Sequence, residues 1–391
     1  MGPCQVEAAH FKKRGRNASA QPANQKMVSG GERMIKSKVA KALAVAGVTM
    51  ALAVTATTAE AQKKVRWKMQ SAWGAAVPHL GTSAVRFSDN VGAMTGDKFK
   101  MKFFEPGALV PALECFDAVS KGAVESCYTT PGYHTGKLGA GVSFFTAVPF
   151  GPQVGEFMAW KKFGGGDEIR AKKYAEFGLK AFDVFAIGAE TSGWFKFEVT
   201  DLAQLRGLKM RFFGLGAKVM QKLGVSTQLL AGGDIYPALE KGVIDATEFS
   251  MPNMDIKYGF YQIAKFNYYP GWHQQVSVSE ILLNKAKFEA LPAAYQKVVE
   301  VAAGDNVMNT YAETEALNPA AMTEMLSKYG VKNVRWGDKE LATFEKAWNE
   351  VVVEESAKDP FFKAIAESFY GFRKIYRIWG QAQALNSTYL K

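Results

Sequence analysis

The strongest constraint on the fold lies in residues 207–249, where strand-like and helix-like segments alternate closely. The pattern predicts a strand at 208–213, a helix at 217–223, a strand at 227–230, a helix at 235–241 and a strand at 244–249. In an open α/β sheet, the carboxyl ends of the strands and the adjoining helix N-termini form the ligand crevice. Arg211 and Glu248 lie near two such strand ends. We therefore expect Arg211 to bind a small anion, with a structural ion pair to Glu248 as the alternative.

The alternation of strands and helices begins well before this segment. Residues 65–69 and 99–104 have strand patterns, and four apolar residues between them recur at helical spacing, namely Leu80, Ala84, Phe87 and Val91. After residue 284 the pattern becomes that of long helices. Together these features predict α/β lobes followed by long C-terminal helices.

One motif occurs twice in the chain. Residues 116–126 and 236–246 each join an apolar helix end, a Lys-Gly pair and a strand. Glycine just beyond a helix end is the expected left-handed cap. The repeat suggests two related lobes, and two βαβ units within one sheet are the alternative.

Residues 34–61 have the features of a secretory signal. Lysines precede an apolar run at 42–58, and Ala59-Glu60-Ala61 gives a small-x-small cleavage pattern. We expect cleavage after Ala61, with residues 1–33 as an over-extended start. A membrane anchor is the alternative, but the apolar run is shorter than the roughly 20 residues that a spanning helix needs. Removal of residues 1–61 would lower the net charge from +11 to +5.

The rest of the chain argues against two classes of function. Its lysines and arginines are dispersed among acids, whereas a nucleic acid surface would cluster them, so we expect no nucleic acid partner. The chain lacks the motifs His-Glu-x-x-His, Cys-x-x-Cys and Gly-x-Ser-x-Gly. Gly214-Leu-Gly216 could open a dinucleotide fingerprint, but Val219 occupies the third glycine position. We therefore expect no enzyme activity.

Two cysteines follow the leader. Cys115 lies on a predicted helix and Cys127 on the strand after it. Export would permit a disulfide bond between them. Since cysteine is often buried without a partner, we expect two free thiols, with the disulfide as the alternative.

Three further motifs extend the pattern of residues 207–249. They are Thr129-Thr-Pro-Gly-Tyr133-His-Thr-Gly-Lys137, Gly193-Trp194-Phe195 and Tyr268-Tyr-Pro-Gly-Trp-His273. With them the chain, from about residue 66 to its C-terminus, resembles the solute-binding subunits of tripartite ATP-independent periplasmic (TRAP) transporters. The similarity is greatest to the branch that binds 2-oxo and 2-hydroxy monocarboxylates such as pyruvate and lactate.

The resemblance implies a two-lobed α/β fold like that of periplasmic binding proteins. Lobe 1 would comprise residues 62–185 and part of 276–340, lobe 2 residues 186–275, and the C-terminal helices residues 341–391. The protein would reside in the periplasm and deliver a small carboxylate to TRAP membrane subunits. A secreted α/β enzyme acting on a carboxylate and a sensory binding protein are the alternatives.

The resemblance also implies a ligand set. Arg211 would hold the ligand carboxylate, while Glu248 and the carbonyl of Phe249 match an acid and a tryptophan that coordinate a metal ion. Glu190 falls where a glutamine is expected to contact both metal and ligand, and Gln274 falls where an acid is expected. The cation would be Na⁺ or Ca²⁺, and two acids, Glu190 and Glu248, would favour Ca²⁺. We expect no histidine or cysteine at the site.

Three aromatic residues are candidates for the part of the pocket that lobe 1 contributes. They are Trp73, which follows a strand, Tyr133, which lies in a Pro-Gly turn, and Phe150. Packing in the core is the alternative for each.

The final helix carries an apolar stripe with spacings of three and four residues. The stripe comprises Phe362, Ile365, Phe369, Phe372, Tyr376 and Trp379. Such stripes mostly pack on their own domain. Because some proteins of the resembling branch are dimers that exchange a helix, a homodimer through this helix is the alternative.

Overall fold

The computed structural model describes residues 63–384. The predicted leader at 1–61 lies outside this range, so the signal peptide stays a prediction. Among residues 63–384, no helix combines the length and apolarity that crossing a bilayer requires.

The strands form two mixed sheets. In chain order they are β1 Val65–Ser71, β2 Phe99–Phe104, β3 Ser126–Thr129, β4 Leu179–Ile187, β5 Gly193–Phe195, β6 Lys209–Arg211, β7 Ser226–Gln228, β8 Ala246–Thr247, β9 Phe266–Tyr269, β10 Ser277–Asn284 and β11 Lys332–Arg335. Sheet A has the order β2-β1-β3-β10-β4, and sheet B has the order β11-β9-β5-β8-β6-β7. The two sheets with their helices confirm the predicted α/β fold.

The helices pack around these sheets. They are α1 Leu80–Met94, α2 Cys115–Ser120, α3 Thr135–Leu138, α4 Val154–Phe163, α5 Gly166–Ala175, α6 Gly214–Lys222, α7 Gly232–Glu240, α8 Pro252–Tyr258, α9 Lys285–Glu289, α10 Ala293–Ser327, α11 Asp338–Lys358 and α12 Pro360–Gln383. The last three confirm the predicted long C-terminal helices. In α1, the four residues that set the helical spacing are all buried.

The repeated motif occurs once in each sheet. In both copies a glycine with a positive φ, Gly122 or Gly242, follows the helix end and leads into a strand. The first strand, β3, belongs to sheet A and the second, β8, to sheet B. The alternative of two units within one sheet is therefore wrong.

The chain crosses from one sheet to the other at adjacent places. The segment between β4 and β5 carries Glu190, and the segment between β9 and β10 carries Gln274. The Glu190 N–H donates to the Gln274 carbonyl at 3.1 Å. A methyl group on Gly271 would lie 2.0 Å from the Glu190 carbonyl oxygen, so the close approach of the two segments requires glycine there.

Helix α10 contacts elements of both sheets. Near its middle, the Asn306 side chain donates to the Val184 carbonyl of β4 at 2.8 Å, and the Thr310 hydroxyl donates to the Ala186 carbonyl at 3.1 Å. Further along, the Asn318 side chain accepts from the Asn253 N–H of α8 at 3.0 Å. The helix thereby joins a strand of sheet A to α8, which lies in the chain between β8 and β9 of sheet B.

A buried charge cluster lies on one face of sheet A. Asp183 of β4 accepts from Lys161 at 2.8 Å and from Arg170 at 2.6 Å. Arg170 also contacts Glu280 of β10 at 3.2 Å, and the Tyr174 hydroxyl lies 2.7 Å from the same carboxylate. Burial raises the pKa of Glu280 to about 7, because the nearby cationic Arg170 offsets only part of the desolvation.

Cys115 and Cys127 form a disulfide bond, so the expectation of two free thiols is wrong. Cys115 begins α2 and Cys127 lies in β3, and packing of the helix against the strand brings their Cα atoms to 5.9 Å. This distance is in the usual range for a bridge. The bond closes a short loop between an element of the core and the strand that leads to the cleft described below.

Candidate functional site

Arg211 and Glu248 meet because two parallel strands end side by side. Strand β6 pairs with β8 so that Arg211 lies opposite Thr247, and the next residue is Glu248. The Arg211 Nη1 group donates to the Glu248 carboxylate at 2.6 Å and to the Glu248 carbonyl at 2.7 Å. Its Nε donates to the Leu230 carbonyl at 3.2 Å. The ion pair given as the alternative for these two residues is therefore present, and both side chains are buried.

The remaining face of Arg211 borders a narrow cleft between elements of the two sheets. The cleft has about 30 Å³ of free volume, room for roughly two water molecules. Its lining includes the predicted residues Trp73, Tyr133, Glu190, Arg211, Phe249 and Gln274. The structure thus brings six of the eight predicted site residues to one cleft, and Glu248 contacts Arg211 beside it.

Phe150 is not among the residues that line this cleft. Its ring stacks on Trp272 with the centres 5.7 Å apart, and its N–H donates to the Trp272 carbonyl at 2.7 Å. Phe150 therefore supports the segment between β9 and β10 from behind. The packing alternative describes its position in the structure.

Two carboxylates near the cleft retain free oxygen atoms. Glu190 Oε2 and Glu248 Oε2 are buried and have no hydrogen-bond partner. Together with an imidazole nitrogen of His273, their oxygens lie within 4.8 Å of one another. Buried carboxylate oxygens without donors are the ligands that a hard cation takes. The donor set therefore fits a small oxygen-binding cation.

His273 was not expected here, so the expectation that no histidine reaches the site is wrong. Its Nε2 lies 3.5 Å from Glu248 Oε2, and its side chain is buried. The segment between β9 and β10 is hydrogen-bonded to the segment that carries Glu190, and it brings the ring to the site. A neutral imidazole can donate one hydrogen bond, so His273 can orient the Glu248 carboxylate.

The two acids have opposite pKa shifts. Burial raises the pKa of Glu190 well above its ordinary value, and the neighbouring Glu248 and Asp255 add to this shift. Burial also opposes ionisation of Glu248, but the charge of Arg211 and the contact with His273 outweigh it and lower the pKa of Glu248. The charge of Arg211 thus favours the ionised form of Glu248, whereas burial disfavours the ionised form of Glu190.

The aromatic wall of the cleft surrounds the guanidinium. The Arg211 Cζ atom lies 5.4 Å from the ring centre of Phe249 and 5.9 Å from that of Phe213. Rings at such distances attract a cation and exclude water from it. An anion bound to Arg211 would therefore accept hydrogen bonds from a planar guanidinium group in surroundings of low polarity.

Sequence reasoning missed several residues of the cleft. Phe213, Thr130, Ser277 and Ser279 also line it. The two serines lie on one face of β10, and their alternation with Val276 and Val278 could have indicated a polar strand face. Phe213 is part of the 207–249 segment, but nothing in a single sequence distinguishes a cleft phenylalanine from a core one.

Comparison with known proteins gives the same picture. Residues 69–359 match the family model described as bacterial extracellular solute-binding protein, family 7. A monocarboxylate 2-oxoacid-binding periplasmic protein from Nostoc sp. is 36% identical over 360 residues, covering 90% of this chain and 98% of the relative.

Solved structures agree with the sequence matches. A TRAP transporter solute-binding protein from Bordetella bronchiseptica, described with calcium and picolinate in its active site, has a TM-score of 0.80 and 34% identity, covering 82% of this chain and 95% of the other. One from Pseudoalteromonas atlantica with bound sodium and pyruvate has a TM-score of 0.79 and 29% identity, covering 82% and 97%. The resemblance to TRAP solute-binding proteins and the two-lobed fold are thus confirmed. This chain belongs to the bacterial extracellular solute-binding proteins of family 7.

Proposed function

We propose that the protein captures a small 2-oxo or 2-hydroxy monocarboxylate together with Ca²⁺ or Na⁺ and delivers it to TRAP membrane subunits. One observation carries the proposal: Arg211 is buried at a cleft in which Glu190 and Glu248 each keep an oxygen without a partner. The arrangement is that of an anion site next to a cation site.

The charges support a cation as part of this site. A monocarboxylate would add one negative charge beside Glu248 and Glu190, and burial of several like charges is prohibitive without compensation. Arg211 supplies one positive charge, and a bound Ca²⁺ or Na⁺ would supply the rest. Burial raises the pKa of Glu190, and a bound cation would favour its ionised form.

The residues that would hold the cation are Glu190, Glu248 and the carbonyl of Phe249. Glu248 uses one oxygen for Arg211 and for the Phe213 N–H, at 2.6 and 2.5 Å, and keeps the other oxygen available. His273 would position that second oxygen from behind. Gln274, Trp73 and Tyr133 would contact the ligand from the opposite wall.

The similar proteins support this ligand class. Their descriptions name calcium with picolinate, sodium with pyruvate, and monocarboxylate 2-oxoacids. We assign the same class, a carboxylate with a second donor atom next to it, to this chain. Residue 249 is phenylalanine where the resembling branch has tryptophan, so the wall at this point is smaller here.

The family supports the proposed cellular location, and the two sheets support the proposed lobes. Members of this family are extracellular or periplasmic solute-binding proteins, and we propose export through the predicted signal with residence in the periplasm. We propose residues 62–185 with part of 276–340 as lobe 1 and residues 186–275 as lobe 2. The division is supported by sheets A and B, whose strands follow it closely.

We propose a homodimer through the end of α12. The first half of the apolar stripe, as far as Phe369, is buried against the same chain. Beyond it, Ile375, Ile378 and Trp379 are 72%, 76% and 59% exposed. Contiguous exposed apolar side chains indicate a protein contact, and the similar Bordetella protein is described as a dimer.

We favour binding without catalysis, because the buried groups of the cleft are arranged to hold charges. Arg211 and Glu248 are fixed by several hydrogen bonds each, and within residues 63–384 none of these bonds joins them to a serine or cysteine side chain. A secreted enzyme acting on carboxylates would need such a nucleophile or a base aimed at the substrate. Turnover of a bound acid would contradict this assignment.

The test is calorimetric titration of the purified protein with pyruvate, lactate and 2-oxobutanoate. We expect binding in the presence of Ca²⁺ or Na⁺, weakened by chelation and dialysis and recovered when the ion is restored. A ligand at 100 times its Kd adds about 2.7 kcal/mol to the free energy of unfolding, so a thermal-shift assay can check the titration. Glu190→Gln should raise the cation concentration needed for acid binding. Equal affinity for the acid with and without cation would show that Glu190 and Glu248 bind no cation needed by the ligand and act only on the charge of Arg211.

A further inference from the structure

The ring of Phe213 lies directly on the backbone of Gly132. A methyl group added to Gly132 would be 2.2 Å from Cζ and 2.7 Å from Cε2 of this ring. Real carbon atoms do not approach so closely, so the contact exists only because residue 132 has no side chain. Gly132 follows β3 of sheet A, whereas Phe213 follows β6 of sheet B. The contact therefore joins the two sides of the cleft.

Phe213 is also tied to the anion site by its backbone. Its N–H donates to Glu248 Oε1 at 2.5 Å, on the same oxygen that receives Arg211. Its ring meets Tyr133 edge to face, with the ring centres 5.6 Å apart. The side chain is 7% exposed and forms part of the cleft lining. The position of the ring is thus fixed by Glu248, by Tyr133 and by the bare backbone of Gly132.

We propose that the Phe213 ring sets the maximum chain length of the bound acid and that the absence of a side chain at Gly132 allows the ring to take this position. The proposal rests on the proposed function, because it concerns the same cleft. The Arg211 Cζ atom lies 5.9 Å from the ring centre. Both groups line the same narrow cleft, so the ring limits the space beside a carboxylate held by Arg211, which suits an acid of a few carbon atoms.

The two residues have different expected effects on selectivity. Replacing Phe213 by alanine removes the wall and leaves space that a longer chain can fill. A single methylene in an apolar pocket changes discrimination by roughly 10–200-fold. A methyl group at Gly132 instead displaces the ring and weakens the binding of every acid. Because the φ of Gly132 is not positive, alanine suits its backbone and only the space is at issue.

The experiment measures the Kd of pyruvate, 2-oxobutanoate and 2-oxohexanoate with Ca²⁺ present. It compares the unchanged protein with Phe213→Ala, Gly132→Ala and the double variant. Gly304→Ala is the matched control, because Gly304 lies on α10 with no atom within 4 Å of an added methyl group.

We expect Phe213→Ala to lower the ratio of the 2-oxohexanoate Kd to the pyruvate Kd by about tenfold or more. Gly132→Ala should weaken all three acids by a similar factor, about tenfold or more. The double variant should regain the affinity that Gly132→Ala loses, because the added methyl group has space once the ring is gone. Gly304→Ala should leave every Kd unchanged.

Two results would overturn the inference while leaving the proposed function intact. One is an unchanged Kd ratio in Phe213→Ala, and the other is wild-type affinity in Gly132→Ala. If the unchanged protein binds none of the three acids, both the inference and the proposed function are wrong.

Discussion

Replacing Arg211 by methionine tests how the site is held together before any ligand arrives. Arg211 is the positive partner of Glu248, whose side chain is fully buried. Methionine fills most of the space but leaves the carboxylate with only the Phe213 N–H and His273 nearby. Breaking a buried ion pair in this way costs about 3–5 kcal/mol. That cost changes the ratio of folded to unfolded protein by roughly a hundredfold to several thousandfold.

The size of the loss should depend on pH. In the wild type the pKa of Glu248 is below its ordinary value of 4.5, so its contribution to stability is present above that pH and is lost as the pH falls. In Arg211→Met, burial acts on Glu248 without the opposing charge and raises its pKa. The carboxyl group then stabilises the fold below about 4.5 and loses that effect as the pH rises. Between pH 5 and pH 8 the wild-type contribution is already present, so the falling stability of the variant makes the difference larger at pH 8 than at pH 5.

Urea unfolding followed by tryptophan fluorescence measures this difference at pH 5 and pH 8 without ligand or cation. The double variant Arg211→Met/Glu248→Gln removes both charges and should lie within about 1–2 kcal/mol of the wild type, because replacing a whole buried pair is often nearly neutral. In calorimetry, both variants should lose carboxylate affinity by well over about tenfold. The double variant could instead be as unstable as the single one, or the loss of unfolding free energy could be the same at both pH values. Either result would show that the unpaired Glu248 carboxylate does not cause the loss.

Three other outcomes are expected. Glu280→Gln should stabilise the protein more at pH 8 than at pH 5, because a folded pKa of about 7 means that wild-type stability falls as the pH rises from 4.5 to 7. Urea unfolding of variant and wild type at both pH values measures this difference. The same difference in free energy of unfolding at both pH values would contradict the prediction. Replacing Cys115 and Cys127 by serine should lower the free energy of unfolding by about 2–4 kcal/mol, while calorimetry should show unchanged ligand affinity. Trp379→Asp should convert a dimer to a monomer in sedimentation velocity; a wild-type protein that is monomeric at all concentrations would end the dimer proposal.

The parts of the fold that the sequence predicts well depend on local signals. The strands and helices of residues 207–249 are all present, although β8 covers only Ala246–Thr247. The strand is short because Glu248 and Phe249 leave the sheet for the cleft. Since parallel strands expose their carboxyl ends at one edge, the meeting of Arg211 and Glu248 also followed from pattern alone.

The parts that the sequence did not predict depend on how distant segments approach. His273 reaches Glu248 because the segment between β9 and β10 lies beside the segment that carries Glu190, and no local pattern encodes that approach. The Cys115–Cys127 bond depends on a distance between a helix and a strand. Phe150 is an aromatic residue of the type that lines pockets, but its ring stacks on Trp272 instead.

The charge cluster behind sheet A shows the same limit. Glu280 alternates with Ser277 and Ser279 along β10, so its place on the opposite face can be read from the strand. Whether that face is buried depends on α4 and α5, which supply Lys161 and Arg170. A buried acid with its cations on another element is therefore visible only in three dimensions.

Helix α10 gives the molecule a mechanical property. Its 35 residues span about 52 Å at 1.5 Å per residue, and it is hydrogen-bonded to β4 at one part and to α8 at another. Any movement of one sheet against the other must therefore bend this helix or slide along it. Pro319 lies next to the Asn318 contact and lacks the N–H that would bond to the preceding turn. The point at which this helix bends most easily therefore lies beside its attachment to α8.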